Sequence, residues 1–345
     1  MAKNEEREAP MKKPIQYNVI LMLVFLLLAG TVCLIPLLQT QASDPTQPST
    51  MASTAAPTTT QPMTTLPPTT VPSTTVPLPT IRPDVEVPAR NAFVYNCTRD
   101  HLAYIKDAGD EVMYPASITK LFSAYVALQY VAPDRMVTVG EIIDTVPEDS
   151  SFAWLTKGDR IRVEDLVKAM LLPSGGDAAR TLAVEVGRVL AGSNAGTEWS
   201  AMERFVEEMN RQAAELGMDG THFVNPDGYH HEDHYTCLAD LLTIGKLSLE
   251  NDLIRQIAGL TEATATLGNG LTLTWPNTNL LLQKDFAQYY CPEAIGLKTG
   301  YTGAAGSCLM AAFEKDGDII LIGIFGSETK LTRFADALTL FEAYE

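Results

Sequence analysis

The chain is short of positive charge and has no closely spaced cysteine pair. Lysine and arginine number 25 against 42 aspartates and glutamates, a formal net charge of −17. Such an acidic balance argues against nucleic acid as a partner. None of the five cysteines (Cys33, Cys97, Cys237, Cys291, Cys308) forms a C-x-x-C pair, so neither a zinc ribbon nor a thioredoxin-type site is expected. Outside the cell the last four could pair in three ways; buried free thiols are the expectation. No internal repeat is visible. Between Lys13 and Arg82 there is no lysine or arginine at all.

That gap organises the first quarter of the chain. Residues 1–13 are short and charged. Val19–Leu38 is an apolar run of about twenty residues, long enough to cross a hydrocarbon core of roughly 30 Å. Lys12 and Lys13 flank its start, which places the N-terminus in the cytoplasm and the remainder outside. The expectation is a cytoplasmic tail at 1–13 and an uncleaved transmembrane signal anchor at 14–38. A cleaved signal peptide, cut near Thr40-Gln41-Ala42, is the competing reading; the protein would then be secreted. Residues 39–88 are rich in Thr, Pro, Ser, Ala and Gln and bury too little apolar surface to fold. They read as a disordered linker, a spacer of at most about 140 Å at ~3.1 Å per residue. Residues 89–345 remain for one large domain or two intimate lobes.

Apolar periodicity gives the outline of that folded part. Asn91–Lys106 alternates as one or two strands. Ser117–Tyr130, Val163–Leu172, Ala178–Leu190, Glu198–Leu216 and Leu238–Leu249 read as helices. Ala294–Tyr301, Ser307–Phe313 and Ile319–Phe325 are strand-like, with Lys315-Asp316-Gly317-Asp318 as a hairpin turn. Thr329–Tyr344 closes the chain as a helix. Strands at both ends with helices between them imply an α+β fold: an antiparallel sheet assembled from both termini, with an all-helical insertion.

Three strings carry chemistry: Ser117-Ile118-Thr119-Lys120, Ser174-Gly175-Gly176-Asp177 and Lys298-Thr299-Gly300. A helix starting near Ser117 puts Lys120 on the same face, within reach of the serine hydroxyl. The helix N-terminus adds N–H groups and positive potential that favour an oxyanion. Lysine is a base only when neutral, and burial or a second cation lowers its proton affinity. Lys298 is the candidate second cation. Lys298 and the Thr299 hydroxyl suit a carboxylate ligand. Gly300 lets a substrate lie along the strand. The main-chain N–H of Tyr301 would complete an oxyanion hole with that of Ser117.

Each string alone is weak; their order and spacing are not. The layout resembles the penicillin-recognising serine acyltransferases, whose motifs have these three elements. Within them the chain is most similar to the D-alanyl-D-alanine carboxypeptidases of low molecular mass. Supporting strings are Ala116–Lys120, Leu171-Leu172-Pro173-Ser174-Gly175, Thr221–Gly228, His234-Tyr235-Thr236 with Asp240, and Asn277-Thr278-Asn279. The resemblance covers all of 89–345. It implies a β-lactamase/transpeptidase-like fold with a five-stranded sheet. It implies that Ser117 attacks the carbonyl between two D-alanines of a peptidoglycan stem peptide and that Lys120 takes the proton. Ser174 relays a proton to the leaving D-alanine, while Lys298 and Thr299 hold the terminal carboxylate. β-Lactams would acylate Ser117, and no metal or organic cofactor is needed.

The chain departs from the family in its middle motif, where Gly176 stands in place of asparagine. That asparagine normally contacts the lysine and the substrate amide, so slower turnover is expected, and Asp177 cannot substitute without a register change. Many family members carry a further C-terminal β domain and membrane helix; here the residues end at Glu345 after the closing helix, and the anchor is expected at the N-terminus. A catalytically weak or inactive cell-wall binder is the alternative reading. A class A β-lactamase would need a Glu-x-x-Leu-Asn string, which is absent. His230-His231-Glu232-Asp233-His234 lacks the zincin spacing and reads as solvated loop histidines.

Overall fold

Strand β1 (Asn91–Asn96) is buried along its whole length because it lies between two neighbours. The computed structural model describes residues 78, 80–82, 84–107, 112–194 and 196–345. The expected tail, membrane anchor and the linker through residue 77 lie outside these. Among the described residues no helix is long and apolar enough to cross a membrane. Packed chain begins before the expected boundary at 88: Ile81 bridges to Tyr344, and Ile81 and Val87 are buried.

After β1 come β2 (His101–Lys106), α1 (Thr119–Ala127), β3 (Met136–Thr138), β4 (Arg160–Arg162), α2 (Val163–Leu171), α3 (Gly176–Ala191) and α4 (Glu198–Glu215). Then follow α5 (Leu238–Glu250), α6 (Asp252–Ala258), β5 (Glu262–Thr266), β6 (Thr272–Pro276), β7 (Ala294–Thr302), β8 (Gly306–Lys315), β9 (Asp318–Ser327) and α7 (Thr332–Glu342). The main sheet has the order β2-β1-β9-β8-β7, antiparallel throughout. The expected sheet from both termini is therefore present. Asp316 and Gly317 both have positive φ (53° and 86°), the geometry a two-residue hairpin between β8 and β9 requires.

Successive side chains of a strand point to opposite faces, and both faces of this sheet are covered. Ala92, Val94, Leu309, Ala311, Ile320 and Ile322 pack with Phe334, Ala337 and Leu340 of α7. Phe93, Tyr95, Met310, Ala312 and Leu321 join the core of the helical lobe. At the centre of that lobe lies α1, whose Leu121, Phe122, Ala124 and Val126 are all fully buried.

The first helix differs from its expected span. A 3-10 turn, Ala116–Ile118, precedes α1, which ends at Ala127 rather than reaching Tyr130. Ala116 sits at φ 48°, so the chain turns sharply into the helix and Ser117 occupies the tight first turn. Three elements escaped the sequence reading: α6 and the small hairpins β3–β4 and β5–β6. The β5–β6 strands are threonine-rich and show their outward faces to solvent, which leaves little apolar signal.

Candidate active site

Lys120 is 3 % exposed at the start of α1. Its Nζ donates to Oγ of Ser117 (3.0 Å) and to the main-chain oxygen of Asp227 (2.5 Å). The i, i+3 spacing thus brings nucleophile and base into hydrogen-bond contact. Burial lowers the proton affinity of Lys120, Asp227 opposes this, Arg180 lowers it further and Asp177 opposes; the net value is about 8. A large fraction of Lys120 is then neutral near pH 8, as a general base must be.

Ser117, Lys120, Ser174, Gly176, Asp227, Thr299, Gly300 and Tyr301 line one cleft of about 350 Å³. Ser174 follows α2 at φ 68°, in the left-handed region, before Gly175 leads into α3. Thr299 Oγ1 lies 2.7 Å from Oγ1 of Thr278, which also lines the cleft. Gly300 stands where β7 passes closest to the nucleophile turn: a Cβ there would lie 3.2 Å from the main-chain nitrogen of Ser117. Gly228 (φ 75°) lies even closer, since its Cβ would fall 1.9 Å from the Ala116 oxygen. Both glycines let neighbouring backbone clamp the turn that carries Ser117.

Lys298 is 1 % exposed, and its Nζ donates to the oxygen of Thr299 (2.9 Å). Burial, then Lys120, then Arg333 push its proton affinity well below the ordinary lysine value. Arg180 is a further cation acting on Lys120, beside Lys298, with which Lys120 interacts directly.

A family model described as D-alanyl-D-alanine carboxypeptidase matches residues 78–329. The chain belongs to that family. D-alanyl-D-alanine carboxypeptidase DacF of Bacillus subtilis is 26% identical over 258 residues, covering 74% of this chain and 61% of DacF. The chain thus spans less than two thirds of that relative. The D-alanyl-D-alanine carboxypeptidase of Streptomyces sp. strain K15 is 31% identical over 239 residues, 67% of this chain and 78% of the relative. The crystal structure of the Streptomyces K15 DD-transpeptidase superposes with a TM-score of 0.67 at 29% identity, covering 75% of this chain and 97% of that one. Penicillin-binding protein D2 of Listeria monocytogenes in its ampicillin-bound form gives 0.59 at 28% identity, with 76% and 99% covered.

Three further residues at or behind this cleft lie outside the three short catalytic strings. Arg333 of α7 reaches the cleft and donates Nη1 to the oxygens of Gly300 (2.9 Å) and Cys308 (3.2 Å). Its buried Nε has no hydrogen-bond partner, although the residue itself lines the cleft. Asp227 supplies the carbonyl that holds Lys120. His234 is buried (2 %), against the expectation of a solvated loop histidine; His230 and His231 are exposed. Val224 N–H donates to its Nδ1 (3.1 Å). Nε2 therefore carries the proton toward Thr119 Oγ1 (2.9 Å), the residue between nucleophile and base. The His234-Tyr235-Thr236 string was the sequence signal that set it apart from its exposed neighbours.

Asp177 is committed to structure: its carboxylate accepts the Ala153, Leu155 and Ala178 N–H groups. Cys97, Cys237, Cys291 and Cys308 are free thiols, the last two buried. Among the described residues no group of His, Cys, Asp and Glu could hold a metal ion.

Proposed function

We propose that this chain is a serine-type D-Ala-D-Ala carboxypeptidase acting on peptidoglycan stem peptides. The observation that carries the reading is the 3.0 Å contact between Lys120 Nζ and Ser117 Oγ, inside a cleft walled by β7. Oγ of Ser117 attacks the carbonyl carbon of the penultimate D-alanine as neutral Lys120 takes its proton. The negative oxygen is held at the N–H groups of Ser117 and Tyr301. Collapse of the tetrahedral centre breaks the C–N bond. The leaving amine takes a proton through the Ser174 hydroxyl and departs as D-alanine. Water, deprotonated by Lys120, then cleaves the ester and frees Ser117. The Arg333 guanidinium, the Thr299 hydroxyl and Lys298 hold the terminal carboxylate. β-Lactams place a strained amide at the same point and leave a stable ester on Ser117.

In the cell, residues 14–38 act as a single-pass anchor with the N-terminus cytoplasmic, and residues 39–77 hold the catalytic part away from the membrane. Support comes from the length of the apolar run and the lysines before it.

The deciding experiment measures intact mass after brief exposure to penicillin G, with Ser117→Ala as control, alongside release of D-alanine from an acyl-D-Ala-D-Ala peptide. One adduct, lost in the control, together with free D-alanine supports the reading. An adduct without D-alanine release would leave a penicillin-binding protein of weak or no turnover, the alternative that Gly176 raises. No adduct on folded protein would sink the catalytic reading.

A further inference from the structure

Beside Lys120 lies a buried ion pair that no sequence motif names. Nε of Arg180, on α3, donates to Oδ2 of Asp227 at 2.7 Å, and the two side chains are 8 % and 3 % exposed. Nη1 of Arg180 is fixed in turn by Thr145, through its carbonyl (2.5 Å) and its hydroxyl (2.7 Å). Oδ1 of Asp227 accepts the Tyr229 N–H (2.9 Å). The aspartate is therefore held from both sides, and its carbonyl points at Lys120.

Gly176 completes the arrangement. A Cβ at that position would lie 3.6 Å from Oδ2 of Asp227 and 3.2 Å from Cγ1 of Val146. A side chain at this position would therefore lie in van der Waals contact with the Asp227 carboxylate at the edge of the cleft. Gly176 and the ion pair are neighbours around Lys120. Burying a lone carboxylate there would be costly, so Asp227 depends on Arg180.

We propose that the Arg180–Asp227 ion pair replaces the amide side chain missing at position 176, acting as a positioning device that holds Lys120 on Ser117. This rests on the reading of Lys120 as the base. The charged groups facing Lys120 are Asp177 and Arg180 of α3, Asp227 and His234 of the loop before α5, and Lys298 of β7. In the pair, cation and anion act on Lys120 in opposite senses.

Opposite senses give a test that loss of structure cannot imitate. The acylation rate by penicillin G is measured from about pH 6 to about pH 10 for the parent, Arg180→Met, Arg180→Lys and Asp227→Asn. In Arg180→Met the unopposed carboxylate holds the proton on Lys120, moving the midpoint to higher pH by about one unit. In Asp227→Asn the remaining guanidinium drives the proton off, moving it to lower pH by a similar amount. Arg180→Lys keeps the charge and returns the midpoint towards that of the parent. A common midpoint in all four proteins, or shifts of one sign, would overturn the proposal even if rates fell. Should Arg180→Met not fold, the acid shift of Asp227→Asn and the rescue by Arg180→Lys still decide the question. Absence of a Ser117 adduct in the parent would instead overturn the catalytic reading, and this proposal with it.

Discussion

Arg333 donates to the carbonyl oxygen of Gly300, 2.9 Å away, so the closing helix is tied to the strand that walls the nucleophile. The same guanidinium lines the cleft and keeps its buried Nε unpaired. Burial lowers its proton affinity, yet only to about 10, so it stays charged at neutral pH.

Replacing Arg333 with leucine removes that charge from the carboxylate end of the cleft. A hydrogen bond to a charged group is worth about 1.5–3 kcal/mol. The kcat/KM for D-alanine release is expected to fall by roughly 10- to 150-fold on that basis. Steady-state kinetics with an acyl-D-Ala-D-Ala peptide and with its C-terminal amide check this. The amide lacks the negative charge, so it should lose far less; an equal loss for both substrates would contradict the assignment.

Acylation by penicillin G should rise with pH through a midpoint near 8, because only neutral Lys120 accepts the Ser117 proton. Stopped-flow acylation rates across the range provide the measurement. A midpoint near the ordinary lysine value of 10.5 would exclude Lys120 as the buried base described above.

His234 confers acid sensitivity. Burial, against the opposing pull of Asp227, lowers its proton affinity from 6.5 to about 4. Below the unfolded value the unfolded chain binds a proton that the folded protein refuses. The stability held by neutral His234 is thus complete above about 6.5 and is lost as pH falls toward 4. The loss amounts to about 3 kcal/mol at most. Urea unfolding of the parent and His234→Gln at the two ends of that window should show a smaller decline in the variant.

Gly228→Ala would drive a Cβ into the Ala116 carbonyl, in a left-handed backbone that resists side chains. A cost of about 1–3 kcal/mol is expected from overpacking of this kind. Because the displaced turn carries Ser117, penicillin acylation should fall along with the melting temperature. An unchanged acylation rate would show that the Ala116 contact does not position the nucleophile.

Much of this site was legible before folding. Ser117 and Lys120 are near in sequence, so helical spacing alone puts them together, and Thr299 and Gly300 follow from a strand pattern. Arg333 has no such signal, and Asp227 stood only within the Thr221–Gly228 string without a role: they act through partners 33 and 107 residues away, respectively. Arg180 looked like an ordinary residue of a helix, and its meaning depends on Asp227 lying across from it. Lys298 was named as a candidate from its string, but its depth of burial was not legible there. The sheet was readable because its strands are apolar runs at both ends; the short polar hairpins were not.

The order of strands sets a timetable for synthesis. β1 emerges early but its partner β9 lies more than two hundred residues later, at Asp318–Ser327. Contacts of such long sequence separation form slowly and late. The wall of the cleft, β7, likewise arrives after the whole helical lobe has been made. A growing chain therefore acquires its serine and lysine long before it acquires the strand that would present a substrate to them. The cleft is complete only once the last strands and the closing helix have been made.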